Sequence, residues 1–232
     1  MRIGIVTLAV YPDSKDGSAK YIRGLFDALK RRGHEVKLFA AKWDEGVDDP
    51  DIQLVEVPQS RIYWVPKYLS AVKKLLKNEN FDIIQANGSR GALPVIWTKK
   101  NYIGLIHDVG PFETEFTKIP VVRWLEKLNT KKATQIITNS EMTKQGIIHY
   151  MKGDPDKIHV VYCGYDEFLK PEPEEGRKLR IKYGIDSDAK IIYYVGRVAE
   201  YKGIDQIIQA YNDARKTIPD LQMVVGGKPT FK

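Results

Sequence analysis

The sequence predicts an α/β protein with a parallel sheet. Three observations carry that expectation. Short apolar runs of strand length, such as Ile3-Gly4-Ile5-Val6 and Ile191-Ile192-Tyr193-Tyr194-Val195, recur along the chain. Longer segments with apolar residues at helical spacing lie between them. Glycine or proline marks the changeovers, as at Gly33 and Pro58. Alternating strands and helices imply parallel strands joined by right-handed crossovers.

The elements follow in order. Arg2 to Leu8 is an apolar strand, and a loop with Pro12, Asp13 and Asp16 leads to Gly17, which opens a helix. Ile22, Leu25, Phe26 and Leu29 form its buried face, Gly33 ends it, and Glu35 to Ala40 is the next strand. This βαβ start lacks the G-x-G-x-x-G of a dinucleotide site, which disfavours an NAD enzyme. Ile52 to Val57 is a third strand. From Arg61 to Lys77 a helix places Trp64, Val65, Tyr68, Leu69, Val72, Leu75 and Leu76 on one face, with Lys67, Lys73, Lys74 and Lys77 opposite or along the flanks. That pattern suits a helix covering the sheet, and equally a basic helix touching an anionic membrane. Phe81 to Asn87 and Tyr102 to Ile106 are further strands, the second ending at His107-Asp108. Glu113 and Glu115 in the loop of residues 110–118 read as solvated charges rather than a glycosidase pair.

Val121 to Lys131 is a helix and Gln135 to Thr138 a strand. Asn139 or Ser140 then suits a helix N-cap, with Glu141 in the first turn facing the positive end of the dipole. Lys157 to Tyr162 is the last strand of a first domain, expected to span residues 1–170. Pro171 to Gly176 reads as an exposed linker into a second domain of residues 171–232. That domain holds a helix from Arg177 to Tyr183, the strand Ile191 to Val195, a helix from Lys202 to about Thr217, and a strand from Leu221 to Val225. The closing Gly226 to Thr230 does not have the spacing of a P-loop. Two strands make a thin layer, so Ile191, Ile192, Tyr194, Val224 and Val225 are expected to need cover from elsewhere.

Composition narrows the function. The 232 residues are 43% hydrophobic and 29% charged, with a net charge of +7. That excess suits phosphorylated ligands or an anionic surface, while no block of like charges resembles a nucleic-acid arm. The single cysteine, Cys163, excludes an intrachain disulfide or a multi-cysteine metal site. A cytoplasmic setting is the expectation, on the inner face of the membrane if the basic helix makes contact there.

The loop after the Ile191 strand is the most informative stretch. Gly196 turns the chain, and Arg197 and Lys202 stand before a helix N-terminus, whose free N–H groups favour an anion. Arg is a planar fork and Lys a mobile point charge, so the pair suits a phosphate or diphosphate. A solvated basic loop is the plainer alternative.

Tyr194-Val195-Gly196-Arg197 followed by Glu200-x-Lys202-Gly203 resembles the donor-phosphate loop of the retaining glycosyltransferases of family 4, which have the GT-B architecture. Other strings agree. Phe81 to Gly88 resembles the family's FDVVHAHG, with Gln85 and Asn87 at its polar positions. Thr138 to Lys144 is similar to TNSExTK, His107-Asp108 matches a His-Asp pair that faces the donor sugar, and Cys163 to Asp166 resembles the string with which the family leaves its first domain. The resemblance implies a Rossmann-like first domain on the acceptor side and the first part of a Rossmann-like donor domain. It implies sugar transfer from a nucleotide diphosphate sugar to an acceptor hydroxyl with retention, without a metal. His107 and Asp108 would be catalytic; Gly17, Arg197 and Lys202 would bind the donor diphosphate; Asn139, Ser140 and Glu141 would line the site. Asp16-Gly17 stands where the family has a glycine pair. The family's later glutamate motif is not in this sequence, so the alternative is a binding or regulatory subunit, or half of a split enzyme, completed by another copy or a partner chain.

Overall fold

The computed structural model describes residues 1–44, 46–58, 64–113, 120–164 and 170–227. It divides into two compact units, Met1–Gly164 and Tyr165–Lys232. The start of the expected 61–77 helix, Glu115, the Tyr165-Asp166 string and residues 228–230 lie outside the described residues.

In the first unit the chain runs β1 (Arg2–Val6), α1 (Gly17–Arg31), β2 (Glu35–Lys42), β3 (Ile52–Glu56), α2 (Trp64–Lys77), β4 (Ile83–Asn87), α3 (Gly88–Ile96), β5 (Ile103–Ile106), α4 (Gly110–Glu113), α5 (Pro120–Lys132), β6 (Gln135–Thr138), α6 (Glu141–Met151) and β7 (Ile158–Val160). The strands form one sheet in the order β3-β2-β1-β4-β5-β6-β7, every pair parallel. Two buried clusters hold it. Ile5, Ile22, Phe26 and Leu38 lie in one, while Phe39, Tyr68, Val72, Ile84, Ile136 and Ile158 belong to the other. The sheet is thus buried on both faces, as apolar parallel strands require.

The helix α2 spends its apolar stripe on this core: Tyr68, Leu69, Val72 and Leu76 are buried, and Trp64 meets Trp43 at 5.6 Å. Packing accounts for that face, and the lysines remain on the outside. α3 was not legible in the sequence. It is buried on most sides and carries Pro94 in its interior and glycines at 88 and 91, so it shows no amphipathic stripe and its glycines and proline argue against a helix. Its fit depends on Gly91, where an added Cβ would lie 2.4 Å from the Val6 carbonyl oxygen. The loop expected over residues 110–118 opens instead with the short helix α4, closed by the Phe112 N–H donating to the Val109 carbonyl at 2.8 Å.

The second unit contains α7 (Pro173–Tyr183), β8 (Lys190–Val195), α8 (Ile204–Arg215) and β9 (Leu221–Gly226), with β8 and β9 paired in parallel. The expected linker is partly helix: Pro173 takes the first position of α7, where its missing N–H costs nothing, and Glu174 and Glu175 fill the first turn. α8 starts later than expected because Glu200–Lys202 forms a 3-10 turn and Gly203, at φ 69°, separates it from the helix. One sheet face is open, with Tyr193 62% and Val195 71% exposed beside Ile191. Of the five residues expected to need cover, Ile191 and Val225 are exposed, whereas Ile192, Tyr194 and Val224 are half-buried. Residues on one strand alternate between faces, so the open face belongs to Ile191, Tyr193 and Val195 together.

Gly91→Ala should destabilise the first unit by about 1–3 kcal/mol, since backbone must move to admit the methyl group. Gly17→Ala should change stability by less than about 1 kcal/mol, because nothing lies within 4 Å of its added Cβ. Urea unfolding of both variants checks the contrast.

Candidate functional site

In an open parallel sheet, ligands collect beyond the strand carboxyl ends, at the point where the strand order reverses. Here that point lies between β1 and β4. Side chains from several elements meet there. The Asn87 amide at the end of β4 donates to the Thr7 hydroxyl and to the Ser18 hydroxyl of α1, each at 3.0 Å. Asn87 therefore ties both strand ends to the start of α1, and it makes no cap bond to α3.

Gly17 is the first residue of α1 and exposed, with open space above it. Asp16 accounts for its own presence as the N-cap: its carboxylate accepts from the Ala19 N–H at 2.8 Å and from the Ser14 hydroxyl at 2.8 Å. That satisfies one donor of the helix end and sets a negative charge beside it.

His107 follows β5. Its ring meets Tyr21 of α1 edge-on at 5.0 Å, and Nε2 is buried without a hydrogen-bond partner. Burial lowers its pKa from 6.5, against the charges of Asp108 and Asp16, which raise it. The exposed Asp108 accepts from the Gly110 N–H at 2.8 Å, which turns the chain into α4. The start of α6 supports the same corner. Ser140 caps α6 by accepting from the Thr143 N–H at 3.1 Å, and the Thr143 hydroxyl reaches the His107 carbonyl at 3.4 Å. Glu141 is in the first turn, exposed, accepting from the Gln145 amide at 3.0 Å. Asn139 is half-buried beside them. Gly17, His107, Asp108, Asn139, Ser140 and Glu141 thus all lie at the carboxyl edge of the first sheet.

Glu126 was missed by sequence reasoning. It projects from α5 toward the start of α3, where it accepts from the Ser89 hydroxyl at 2.6 Å. Burial pushes its carboxyl up; the hydroxyl and backbone N–H of Ser89 pull it down, and the Asp108 charge adds to the rise. Glu126 so caps α3 from another helix, in place of Asn87. A capping partner distant in sequence leaves no local signature.

Arg197 and Lys202 belong to the second unit. Each stands over the ring of Tyr201, the guanidinium carbon at 5.8 Å and the ammonium at 5.4 Å from its centroid. The following α8 has no side-chain N-cap. The strand ends behind them are pressed together: the Gly196 N–H donates to the Gly226 carbonyl at 2.9 Å, and a Cβ on Gly227 would fall 1.7 Å from the Gly196 carbonyl oxygen. Among the described residues no group of three His, Cys, Asp or Glu side chains could hold a metal ion.

Comparison with known proteins decides the family. Residues 15–167 match the model of Glycosyltransferase Family 4, and residues 176–232 match that of Glycosyl transferases group 1. The chain belongs to glycosyltransferase family 4. An uncharacterized glycosyltransferase of Methanocaldococcus jannaschii is 26% identical over 90% of this chain. Among solved structures, sucrose-phosphate synthase from Thermosynechococcus elongatus superposes with a TM-score of 0.74 at 18% identity over 97% of this chain. Anabaena HepE in complex with UDP and glucose gives 0.72 at 18% identity over 100%. At such identity the structures speak for the fold alone, and they show the α/β, parallel-sheet architecture of GT-B glycosyltransferases. This family member spans 59% of the archaeal relative and 62% of each of the two structures.

The perturbed groups make a pH prediction. The lowered pKa of His107 means the unfolded chain takes its proton first, so stability falls as pH drops below 6.5 toward the folded value. Glu126 acts oppositely: with its folded pKa raised, stability is lost as pH rises from 4.5 through the folded value. The imidazole signals of His107 should titrate below 6.5 in proton NMR, and further below in Asp108→Asn, since Asp108 raises the value. A wild-type midpoint at or above 6.5 would contradict the burial argument.

Proposed function

We propose that this chain acts in transfer of a sugar from a nucleotide diphosphate sugar to an acceptor hydroxyl, with retention at the anomeric carbon. The observation that carries the reading is the second unit's strand–loop–helix, in which Arg197 and Lys202 flank Tyr201 before an uncapped helix start. Departure of a nucleoside diphosphate develops negative charge, and fixed cations with a helix N-terminus stabilise it without reorganising. Family membership and the UDP bound by Anabaena HepE support a nucleotide-linked donor. Cationic side chains take the part a metal ion plays elsewhere, so the reading calls for none. His107 and Asp108 border the reacting sugar, with Asn139, Ser140 and Glu141 at the rim, and Gly17 leaves room for the diphosphate beside α1.

The open face of Ile191, Tyr193 and Val195 favours a second reading, in which the chain works as a binding subunit or as half of an assembly. Apolar strand faces and free edges recruit cover. A second copy of the chain or a partner completing the donor unit would then supply it. Mass in solution together with turnover on a panel of donor nucleotide sugars separates the two: a strictly monomeric protein with robust transfer would exclude the second. Peripheral contact with the inner face of a membrane, if made through α2, would use Lys67, Lys73, Lys74 and Lys77, since the apolar stripe is packed inward.

Arg197→Ala and Lys202→Ala should each weaken binding of a nucleoside diphosphate by about 1.5–3 kcal/mol, the worth of a charge-assisted contact. Calorimetric titration measures it. Wild-type affinity in both variants would remove the donor-site reading.

A further inference from the structure

Four lysines surround a concavity at the other end of the first sheet. Lys127 and Lys131 of α5 join Lys152 and Lys157 around a cavity of about 410 Å³, with the buried Ile136 and Met151 in its lining. Lys131, Lys152 and Lys157 precede the amino ends of β6 and β7, whereas His107 and Asp108 follow the carboxyl end of β5. The two sites are therefore on opposite edges.

Helix dipoles explain part of this charge. Lys131 is in the last turn of α5 and Lys152 is the C-cap of α6, positions where a cation complements the carbonyl end. Lys157 likewise ends the 3-10 turn Pro155–Lys157 that leads into β7. Lys127 lies before the last turn of α5, and no helix end calls for it. Several other cations of the unit are paired. Arg2 pairs with Glu35 and Glu79, Lys37 with Glu79, and Lys42 with Glu56. Among the described residues the four lysines enter no such pair, and Lys127 has the Phe112 ring at 5.8 Å instead. The lining contains a single carboxylate, Asp154, which accepts from the Asp156 N–H at 3.1 Å to cap its own turn. Lys152 is also fixed at φ 58°, a left-handed backbone more usual for glycine or asparagine. Lys99, Lys100 and Lys132 line a smaller concavity of about 250 Å³ on the same edge. Together they extend the positive field and concentrate anions near it.

We propose that the cavity between α5 and α6 binds a phosphate-bearing anion, at a site distinct from the Arg197–Lys202 loop and independent of how that loop is read. Ammonium groups gathered without carboxylates repel one another, and a tetrahedral oxyanion that accepts from several single donors relieves this. The phosphate can be carried by a soluble compound or by a lipid headgroup.

The test uses the whole chain and two probes. Inorganic pyrophosphate is titrated while the amide signals of Lys152 and Gly153 are followed by NMR, and sedimentation is measured with phosphatidylglycerol and with phosphatidylcholine vesicles. Expected are saturable shifts at Lys152 and Gly153, weakened at least tenfold in Lys131→Ala/Lys157→Ala and unchanged in Arg197→Ala. Binding to the anionic vesicles that the same double variant weakens assigns the headgroup; pyrophosphate binding without vesicle binding assigns a soluble phosphate. The proposal is overturned if pyrophosphate moves only signals near Arg197 and Lys202, or if the double variant binds both probes as the wild type does. These lysines are exposed, so a circular dichroism melt matching wild type shows that lost binding is not lost folding.

Discussion

Parallel pairing is the constraint on which the first unit depends. Seven strands running the same way put every carboxyl end on one edge and every return helix antiparallel to them. The helix N-termini then crowd the edge that holds His107, and the helix C-termini crowd the other. Strand order reverses between β1 and β4, where Asn87, Thr7 and Ser18 close the gap with two hydrogen bonds. The approach of α3 to Val6, which only a glycine at position 91 permits, keeps that corner tight. Site geometry is thus a consequence of packing several residues away.

The electrostatics divide along the same axis. At the carboxyl edge three helix starts already have an internal acceptor: Asp16 for α1, Glu126 for α3 and Ser140 for α6. Those capping groups stabilise the helices, and they also leave fewer free N–H groups for an external anion than bare helix ends would. α8 in the second unit differs, because Gly203 offers no side chain. Around the cavity between α5 and α6, at the amino edge, four lysines stand with a single carboxylate, Asp154.

Much of the fold was legible because its signals are local. Apolar runs marked most of the strands, and the 3.6-residue period marked α1, α2 and α5. The start of α6 was readable as a cap at Asn139 or Ser140 with Glu141 in the first turn, since a cap bonds its own helix, and the structure makes Ser140 the cap. α3 was hidden for the opposite reason: a helix enclosed on most sides has no polar face to set its period, and Pro94 argues against it. The linker was misread at Pro173, whose two roles, breaking a chain or starting a helix, look alike in sequence.

By itself the sequence determined the α/β class, the parallel order of elements and the identity of the charged groups, since each follows from periodicity and side-chain chemistry. Only the tertiary structure decided which of these groups meet. Glu126 reaches Ser89 across 37 residues, His107 packs half-buried against Tyr21, and the lysines of α5 gather with those around Gly153. Contacts of that range arise from how helices settle on a sheet, and the energy that selects them is spread over the whole core rather than written at either partner.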